Sequence, residues 1–253
     1  MRSLILAIQF LTRLPTPKLH HFDPQELARC VVWFPWVGLL IGLIITAATL
    51  LGSTVDSWLG ALLGLIVWVG ITGGLHLDGL ADLSDALGAA HRDPQRLLTV
   101  MRDPHLGSFG VLALIVQLIS KLVLLRVSLN HARLDFMTLP LICAWARLGA
   151  VYWSQALPAL AGSSTERFTW QSSATSLVIN FMLLAWLTFV FEPLLLSALL
   201  IIGLWQWFLH RRLGGMSGDC LGAGIELTES SLLLIHVSPG PILAWYFKWR
   251  TST

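Results

Sequence analysis

Long apolar runs, separated by short polar connections, dominate the chain from residue 31 onward. A membrane-spanning helix needs about 20 mostly apolar residues, and seven of the runs approach or reach this length. Their approximate bounds are 31–52, 58–75, 107–126, 136–157, 175–191, 194–210 and 231–247. Only Glu192 and Pro193 separate the fifth run from the sixth, which predicts a tight break between two helices. The pattern therefore predicts an all-α, polytopic transmembrane helical bundle of about seven spans, forming a single integral membrane domain over residues 1–253.

The chain opens with MRSLILAIQFLTRLPTPK, whose apolar run before Arg13 is too short to cross a bilayer. The segment lacks a small-residue cleavage site, which argues against a secretory signal. Pro15 and Pro17 end the run. We therefore predict an N-terminal helix that is interfacial or half-inserted in the membrane.

The composition agrees with a lipid bilayer as the main surrounding of the protein. Hydrophobic residues make up 55% of the 253 residues and charged residues only 12%, whereas a soluble domain carries about 25% charged residues. The net charge is +2 without a basic block, so we expect no nucleic-acid binding. Cys30, Cys143 and Cys220 have no paired spacing and indicate neither a disulfide framework nor a zinc site.

The distribution of Lys and Arg predicts the orientation. With seven spans, the amino terminus and the connections 76–106, 158–174 and 211–230 lie on one side of the membrane, and this side carries ten basic residues against four on the other. Because the more basic side faces the cytoplasm, these connections are expected to be cytoplasmic.

The stretch ITGGLHLDGLADLSDALGAAHRD places three carboxylates, Asp78, Asp82 and Asp85, where an apolar helix is expected to continue. At about 100° per residue the three share one helix face, and no basic residue stands three or four positions away to pair with them. One interpretation is a solvated helix end, although the Leu, Ala and Gly neighbours are untypical of a solvated face. The other is a divalent cation site, because converging carboxylates suit Mg²⁺.

A second polar stretch, RRLGGMSGDCLGAGIELTE, has the same character. Asp219 and Glu226 are seven residues apart, so a helix beginning there places both on one face. Gly215 and Gly218 permit close approach of a helix or of a bulky substrate, and Arg212 precedes them as a candidate phosphate ligand. The alternative is that Asp219 only caps a helix and the glycines serve packing. The glycine pattern matches no Walker A or dinucleotide fingerprint.

Two further arginines are candidate phosphate ligands. Arg102 precedes a glycine-containing turn, RDPHLGSFG, whose backbone amides suit an anion. Arg147 and Lys121 stand at apparent membrane depth, where an unpaired charge is costly. They either extend to the membrane surface or meet acids or phosphates inside the bundle. Arg147 is near enough to the cytoplasmic end of its span to reach the polar stretches.

Four segments, FLTRLPTP, GGLHLDGLADLSDAL, MRDPHLGSFG and GGMSGDCLGAGIEL, closely resemble segments of the cobalamin synthase family, the adenosylcobinamide-GDP ribazoletransferases. The likeness runs from the amino terminus to about residue 230 in the family's order. It implies a Mg²⁺-dependent enzyme of the bacterial inner membrane with its active-site connections in the cytoplasm. Such enzymes join adenosylcobinamide-GDP to α-ribazole or α-ribazole 5′-phosphate and release GMP.

This reaction requires a ribazole hydroxyl to attack a pyrophosphate, and the polar residues fit that requirement. Asp82 or Asp85 is the expected proton acceptor, a choice that the sequence leaves open, and Arg102 is expected to stabilise charge at the reacting phosphate. The expected phosphate ligands are Arg102, Arg147, Arg212, Gly215 and Gly218. The expected Mg²⁺ ligands are Asp78, Asp82, Asp85, Asp219 and Glu226.

The alternative function is an ion-coupled membrane transporter with a carboxylate-lined site, since transporters also combine glycine-interrupted helices with buried acids. The seven runs show no obvious inverted halves, and the acids gather toward one side of the membrane rather than at its centre. The sequence leaves open the oligomeric state, the number of metal ions and the choice between ribazole and its phosphate.

Overall fold

The computed structural model describes residues 2–17, 29–89, 97, 99–101, 103, 105–130, 134–160 and 173–238. Within these residues the fold consists of α-helices, and the one extended pairing is an isolated bridge between Ala159 and Met216. Short 3-10 turns precede the second and eighth helices at Val31–Trp33 and Pro193–Ser197. The helices are α1 (Arg2–Leu11), α2 (Phe34–Ser53), α3 (Ser57–Thr72), α4 (Leu75–Ala89), α5 (Ser108–Asn130), α6 (Thr138–Ala156), α7 (Ala174–Phe191), α8 (Ala198–Arg212) and α9 (Gly218–Val237). The predicted all-helical fold is confirmed.

The number of spans agrees roughly with the prediction. Among the described residues, five helical segments are long and apolar enough to cross a membrane, and α3 with α4 makes a sixth if the pair, bent by 85° at its break, is one span. The helix α6 is less apolar, but its 19 residues extend about 28 Å, close to the thickness of a bilayer core. The short α1 is apolar but cannot span. The five segments are Val31–Ser53, Ser108–Asn130, Ala174–Phe191, Pro193–Arg212 and Gly218–Val237.

The last span begins earlier than predicted. The apolar pattern placed it at 231–247, whereas α9 begins at Gly218 and ends at Val237, so most of the predicted 211–230 connection is helical. The Ser217 hydroxyl caps α9 by accepting a hydrogen bond from the Cys220 amide at 3.2 Å. Most of α9 is buried inside the bundle. Its polar first half therefore never faces lipid, and a search for apolar runs passes over it. Residues 239–247 lie outside the described part of the chain.

The helix α6 forms the centre of the bundle, with nearly every side chain from Thr138 to Val151 buried. It packs most extensively on α2 and α9. The approach to α2 is close because α2 presents glycine there: a Cβ on Gly38 would lie 2.6 Å from the Cys143 carbonyl oxygen. A helix enclosed on all sides by other helices is free to carry polar groups that lipid would exclude.

The break between α3 and α4 is built from two glycines. Gly73 and Gly74 have φ values of 62° and 73°, a left-handed conformation that other residues adopt only with strain. The segment after α1 is attached to this corner, because the Arg13 amide donates a hydrogen bond of 2.7 Å to the Ile71 carbonyl oxygen. The amino-terminal helix and the start of α4 therefore lie at the same end of the bundle.

Glycine also brings α4 against α9. A Cβ on Gly79 would lie 2.9 Å from the Asp219 Cα, and a Cβ on Gly222 would lie 3.3 Å from the His76 Cα. The two polar stretches of the sequence thus meet at one interface, as small residues permit between membrane helices. Their meeting depends on the missing side chain at Gly79.

We expect Gly79→Ala to destabilise the protein by about 1–3 kcal/mol, because the new methyl group overlaps the α9 backbone and forces the two helices apart. Gly70→Ala is the matched control, since a Cβ on Gly70 meets no atom within 4 Å. Thermal unfolding in detergent measures both. Equal unfolding temperatures for the two variants would contradict the close packing of α4 on α9.

Candidate functional site

A cavity of about 220 Å³ lies where the first turns of α4 and α9 meet α1, α2 and α6. One wall is apolar and comes mainly from α1 and α2. The other wall, called the polar wall, comes from α4 and α9 and carries polar side chains beside Leu75, Leu221 and Ile225. The apolar wall includes Phe10, Leu11 and Phe34, and the polar wall includes His76, Asp78 and Asp219.

Asp78 and Asp219 belong to the first turns of α4 and α9. The amino-terminal end of a helix carries partial positive charge, so both positions stabilise a carboxylate and also attract an anionic ligand. Ser217 rather than Asp219 caps α9, and the Asp219 carboxylate accepts a hydrogen bond of 3.3 Å from the Ser217 hydroxyl. The structure therefore brings together one predicted metal ligand from each polar stretch of the sequence.

Asp82 lies one turn further along α4 and is half-buried. The negative charges of Asp78, Asp219 and Asp85 all act on its carboxylate and repel it. Carboxylates held in this way are stabilised by a cation placed between them. Asp82 is thus electrostatically part of the Asp78–Asp219 pair.

Asp85, the third predicted carboxylate, has a structural task. It is buried and accepts hydrogen bonds from the amides of Gly107 at 2.8 Å and Gly110 at 2.9 Å. It therefore caps the first turn of α5 from another helix. A Cβ on either glycine would overlap the Asp85 carboxylate, so glycine at both positions allows the carboxylate to reach the two amides. The metal and catalytic roles predicted for Asp85 compete with these two bonds.

Glu226, also predicted as a metal ligand, points into the bundle rather than into the cavity wall. Its carboxylate lies 2.7 Å from the Lys121 ammonium nitrogen and accepts a hydrogen bond of 2.8 Å from Gln117. The structure brings Asp219 to the cavity, whereas Glu226 is held two turns deeper by a cation of α5.

Arg147 belongs to the same buried ionic network. Its guanidinium group is fully buried and forms an ion pair with Glu229 through Nη1. Lys121 approaches the same carboxylate at 2.6 Å. Of the two alternatives stated for Lys121 and Arg147, the meeting with acids inside the bundle is confirmed. Glu229 was not among the predicted site residues, although its position one turn after Glu226 on a helix was a usable signal.

The other predicted phosphate ligands have separate positions. Arg212 is exposed at the end of α8, and Gly218 lines the cavity. Gly215 packs against the segment after α6, where a Cβ would lie 2.6 Å from the Pro158 carbonyl oxygen. Arg102 lies outside the described residues. Asp103, the next residue in the sequence, is exposed, and hydrogen bonds from His105 lower the pKa of its carboxyl group.

His76 is a cavity residue that the sequence analysis did not assign. It lines the cavity, and its Nδ1 lies 3.5 Å from Nη2 of Arg147. The sequence carried little signal, because His76 and Asp78 are about 200° apart on an ideal helix and do not form a common face. Only the packing of α4 against α9, with the contact to Arg147 of α6, shows where the ring lies.

The carboxylate oxygens at the cavity are suited to supply part of the coordination shell of a Mg²⁺ ion. Among the described residues, no group of three or more His, Cys, Asp or Glu side chains forms a ready-made metal site. Mg²⁺ commonly binds through one or two carboxylates and completes its shell with water and substrate phosphates. Asp78 and Asp219, with Asp82 beside them, fit this pattern better than they fit an all-protein cage.

Known proteins resemble the chain over nearly its full length. The family model for cobalamin-5-phosphate synthase matches residues 3–237. An adenosylcobinamide-GDP ribazoletransferase of Laribacter hongkongensis is 55% identical over 237 residues, covering 94% of this chain and 97% of the relative. The enzyme of the same name from Thiobacillus denitrificans is 51% identical over 235 residues, covering 93% and 94%.

A third relative of that name, from Novosphingobium aromaticivorans, is 49% identical over 240 residues, covering 92% of this chain and 95% of its own length. No solved structure matches the chain. The match of the family model and the identity to these relatives cover α1 to α9, including both walls of the cavity. The chain therefore belongs to the cobalamin-5-phosphate synthase family of enzymes.

Proposed function

We propose that the protein joins adenosylcobinamide-GDP to α-ribazole or its 5′-phosphate and releases GMP, with the reaction occurring at the cavity between α4 and α9. The observation that carries this proposal is the convergence of Asp78 and Asp219, from stretches 141 residues apart in the sequence, on one cavity. The names of the relatives supply the substrates. Two carboxylates and two helix amino-terminal ends form a site suited to a pyrophosphate with its metal ion.

The reaction forms a bond between the ribazole hydroxyl oxygen and phosphorus, and breaks the bond from that phosphorus to the oxygen of GMP. Asp78 and Asp219 would hold Mg²⁺ with help from Asp82. When bound, this ion offsets the negative charge of the pyrophosphate. Of these carboxylates, Asp82 is the best candidate to accept the hydroxyl proton, because it lies one helical turn from Asp78 and is not one of the two proposed direct ligands of the ion.

The apolar wall of the cavity complements this chemistry. Phe10 and Phe34 stack with ring centroids 5.7 Å apart, and Leu11 completes the surface. An apolar wall beside the reacting groups limits access of water, which would otherwise compete with the ribazole hydroxyl as nucleophile. It also offers a surface for the ring system of a bulky substrate arriving from the membrane face.

The transporter alternative has one structural feature in its favour, the ionic network inside the bundle. That network contains two cations, Lys121 and Arg147, and two carboxylates, Glu226 and Glu229, in mutual contact. Each carboxylate already has a fixed cation, so neither suits a transported ion. The enzyme is therefore the better-supported function. Metal-dependent release of GMP by the purified protein tests it directly.

We expect Asp78→Asn, Asp82→Asn and Asp219→Asn each to lower GMP release by about 10²–10⁴-fold, because each removes a charge needed for the metal ion or for the proton. Their unfolding temperatures should equal or exceed that of the wild type, since like charges no longer repel. Asp85→Asn should instead lower the free energy of unfolding by about 1–3 kcal/mol, because asparagine can accept only one of the two hydrogen bonds and turns its NH2 group toward the other glycine amide.

Asp56→Asn is the control for these variants. Asp56 caps α3 at the opposite end of the bundle, where it accepts hydrogen bonds from the amides of Trp58 and Leu59, and asparagine caps nearly as well. Both activity and stability should stay near wild type in this variant. Near-normal activity in Asp78→Asn and Asp82→Asn would contradict the proposed role of the cavity.

We also propose that the cavity opens toward the cytoplasm and that the protein lies in the bacterial inner membrane. This orientation is supported by the ten-to-four excess of basic residues on the cavity side.

Cysteine labelling tests the orientation. An impermeant maleimide should label the Val55→Cys variant in intact cells, because Val55 is 77% exposed between α2 and α3. In Arg211→Cys, at the other end of the bundle, labelling should require permeabilised cells. Labelling of Arg211→Cys in intact cells would reverse the orientation. The three native cysteines are buried and give a low background.

A further inference from the structure

His76 is the polar residue of the cavity to which the proposed mechanism assigns no task. Its side chain is only 3% exposed, and it lies at the second residue of α4 between the cavity and α6. A buried ring of this kind needs hydrogen-bond partners for its nitrogen atoms. The partners decide which nitrogen carries the proton, and therefore what the ring offers to a ligand.

Arg147 decides the tautomer of His76. Its Nη2 lies 3.5 Å from Nδ1 of the ring, and a guanidinium group has only donors. Nδ1 must therefore be the acceptor, which leaves the proton of the neutral ring on Nε2.

The guanidinium group of Arg147 is itself fixed in place. Nη1 pairs with Glu229 and also donates to the Cys143 carbonyl oxygen at 3.3 Å. Glu229 is held in turn by Lys121 at 2.6 Å. These contacts join α5, α6 and α9, so Arg147 cannot turn away from His76 without breaking the buried ion pair.

The Nε2–H group is the remaining donor of His76, and it is available to the cavity. Among the described residues, the one hydrogen bond of the ring is that made through Nδ1. A neutral donor in a site with carboxylates on the same wall is suited to an anionic oxygen that a metal ion brings in. Phosphoryl oxygen is the acceptor that fits this position.

We infer that His76 binds a phosphoryl oxygen of the pyrophosphate substrate through Nε2–H. Arg147 is a positioning residue that acts through His76 rather than by touching phosphate, as its complete burial behind the ring requires. The inference rests on the proposed function for the identity of the substrate. It requires only a phosphoryl group and not a particular ribazole compound.

Binding of inorganic pyrophosphate to the purified protein, in detergent with saturating Mg²⁺, separates this role from a structural one. His76→Leu keeps an apolar side chain of similar size but has no donor, and we expect it to weaken pyrophosphate binding by about 10- to 100-fold. His76→Gln places an amide donor near the position of Nε2 and should restore binding to within about threefold of the wild type. His236→Gln, at the far end of α9 and equally buried, should bind like the wild type.

The tautomer gives a second readout that does not depend on activity. In protein labelled with ¹⁵N-histidine, the signals that disappear in His76→Gln should be those of an unprotonated Nδ1 and a protonated Nε2. Arg147→Lys keeps a cation for Glu229 but loses the donor to His76, so a second tautomer should appear. Its pyrophosphate binding should weaken as well.

Wild-type pyrophosphate binding by His76→Leu, or a proton on Nδ1 in the wild type, would overturn the inference. So would a loss of Mg²⁺ binding in His76→Leu without pyrophosphate present, since His76 would then orient a metal ligand. Failure of the proposed function has a different signature. The wild type would then release no GMP from adenosylcobinamide-GDP, while the pyrophosphate and tautomer measurements would still decide the role of His76.

Discussion

The ion pair between Arg147 and Glu229 is the interaction on which the arrangement of this bundle depends. Both side chains are fully buried, in helices that lie at membrane depth. Inserting a lone charge there costs about 2.5–3.5 kcal/mol on insertion scales, and removing one partner of a buried pair costs about 3–5 kcal/mol. Lys121 and Glu226 extend the pair into a network with two positive and two negative charges. A charged side chain of this network is stable inside the bundle only when its partners are buried beside it. The network therefore favours the one packing of α5, α6 and α9 in which all four side chains meet.

This selection reaches the functional site. Glu229 fixes the rotation of α9 about its axis, and Asp219, in the first turn of the same rigid helix, is thereby directed to the cavity. Gly79 and Gly222 then allow α4 to approach until Asp78 faces the same space. The polar residues of α9 thus have different roles at the cavity end of the helix and in the interior of the bundle. The deep acids hold the bundle together, and the acid in the first turn belongs to the site.

The sequence predicts the architecture well, because every helix face in contact with lipid must be apolar. The break at Pro193 agrees with the predicted runs, whereas the bend at Gly73 was not predicted, because the apolar helix was expected to continue into the aspartate stretch. This requirement does not hold for α9, because α9 is surrounded by other helices rather than by lipid. The apolar pattern therefore predicted the start of this span at residue 231, whereas α9 begins at Gly218. The same limit applies to α6, which is less apolar because it is enclosed by the bundle.

The site was predictable in part. Residue spacing grouped Asp78, Asp82 and Asp85 on one helix face, but spacing cannot tell a free carboxylate from one that caps a neighbouring helix. The cap formed by Asp85 depends on the amides of Gly107 and Gly110, which belong to a different helix. Glu226 shares a face with Asp219, yet its partner Lys121 comes from α5. Partners from distant segments decide these roles, and a single sequence does not display them.

We propose that Asp78 of α4 and Asp219 of α9 bind one metal ion at one pyrophosphate site. An experimental structure with Mg²⁺ and adenosylcobinamide-GDP decides between this arrangement and its alternatives. We expect a carboxylate oxygen from each residue in the shell of the same ion, at about 2.0–2.1 Å for direct ligation or through one shared water. An ion held by α4 alone, with the pyrophosphate on another face of the bundle and Asp219 turned onto its own helix, would refute the shared site.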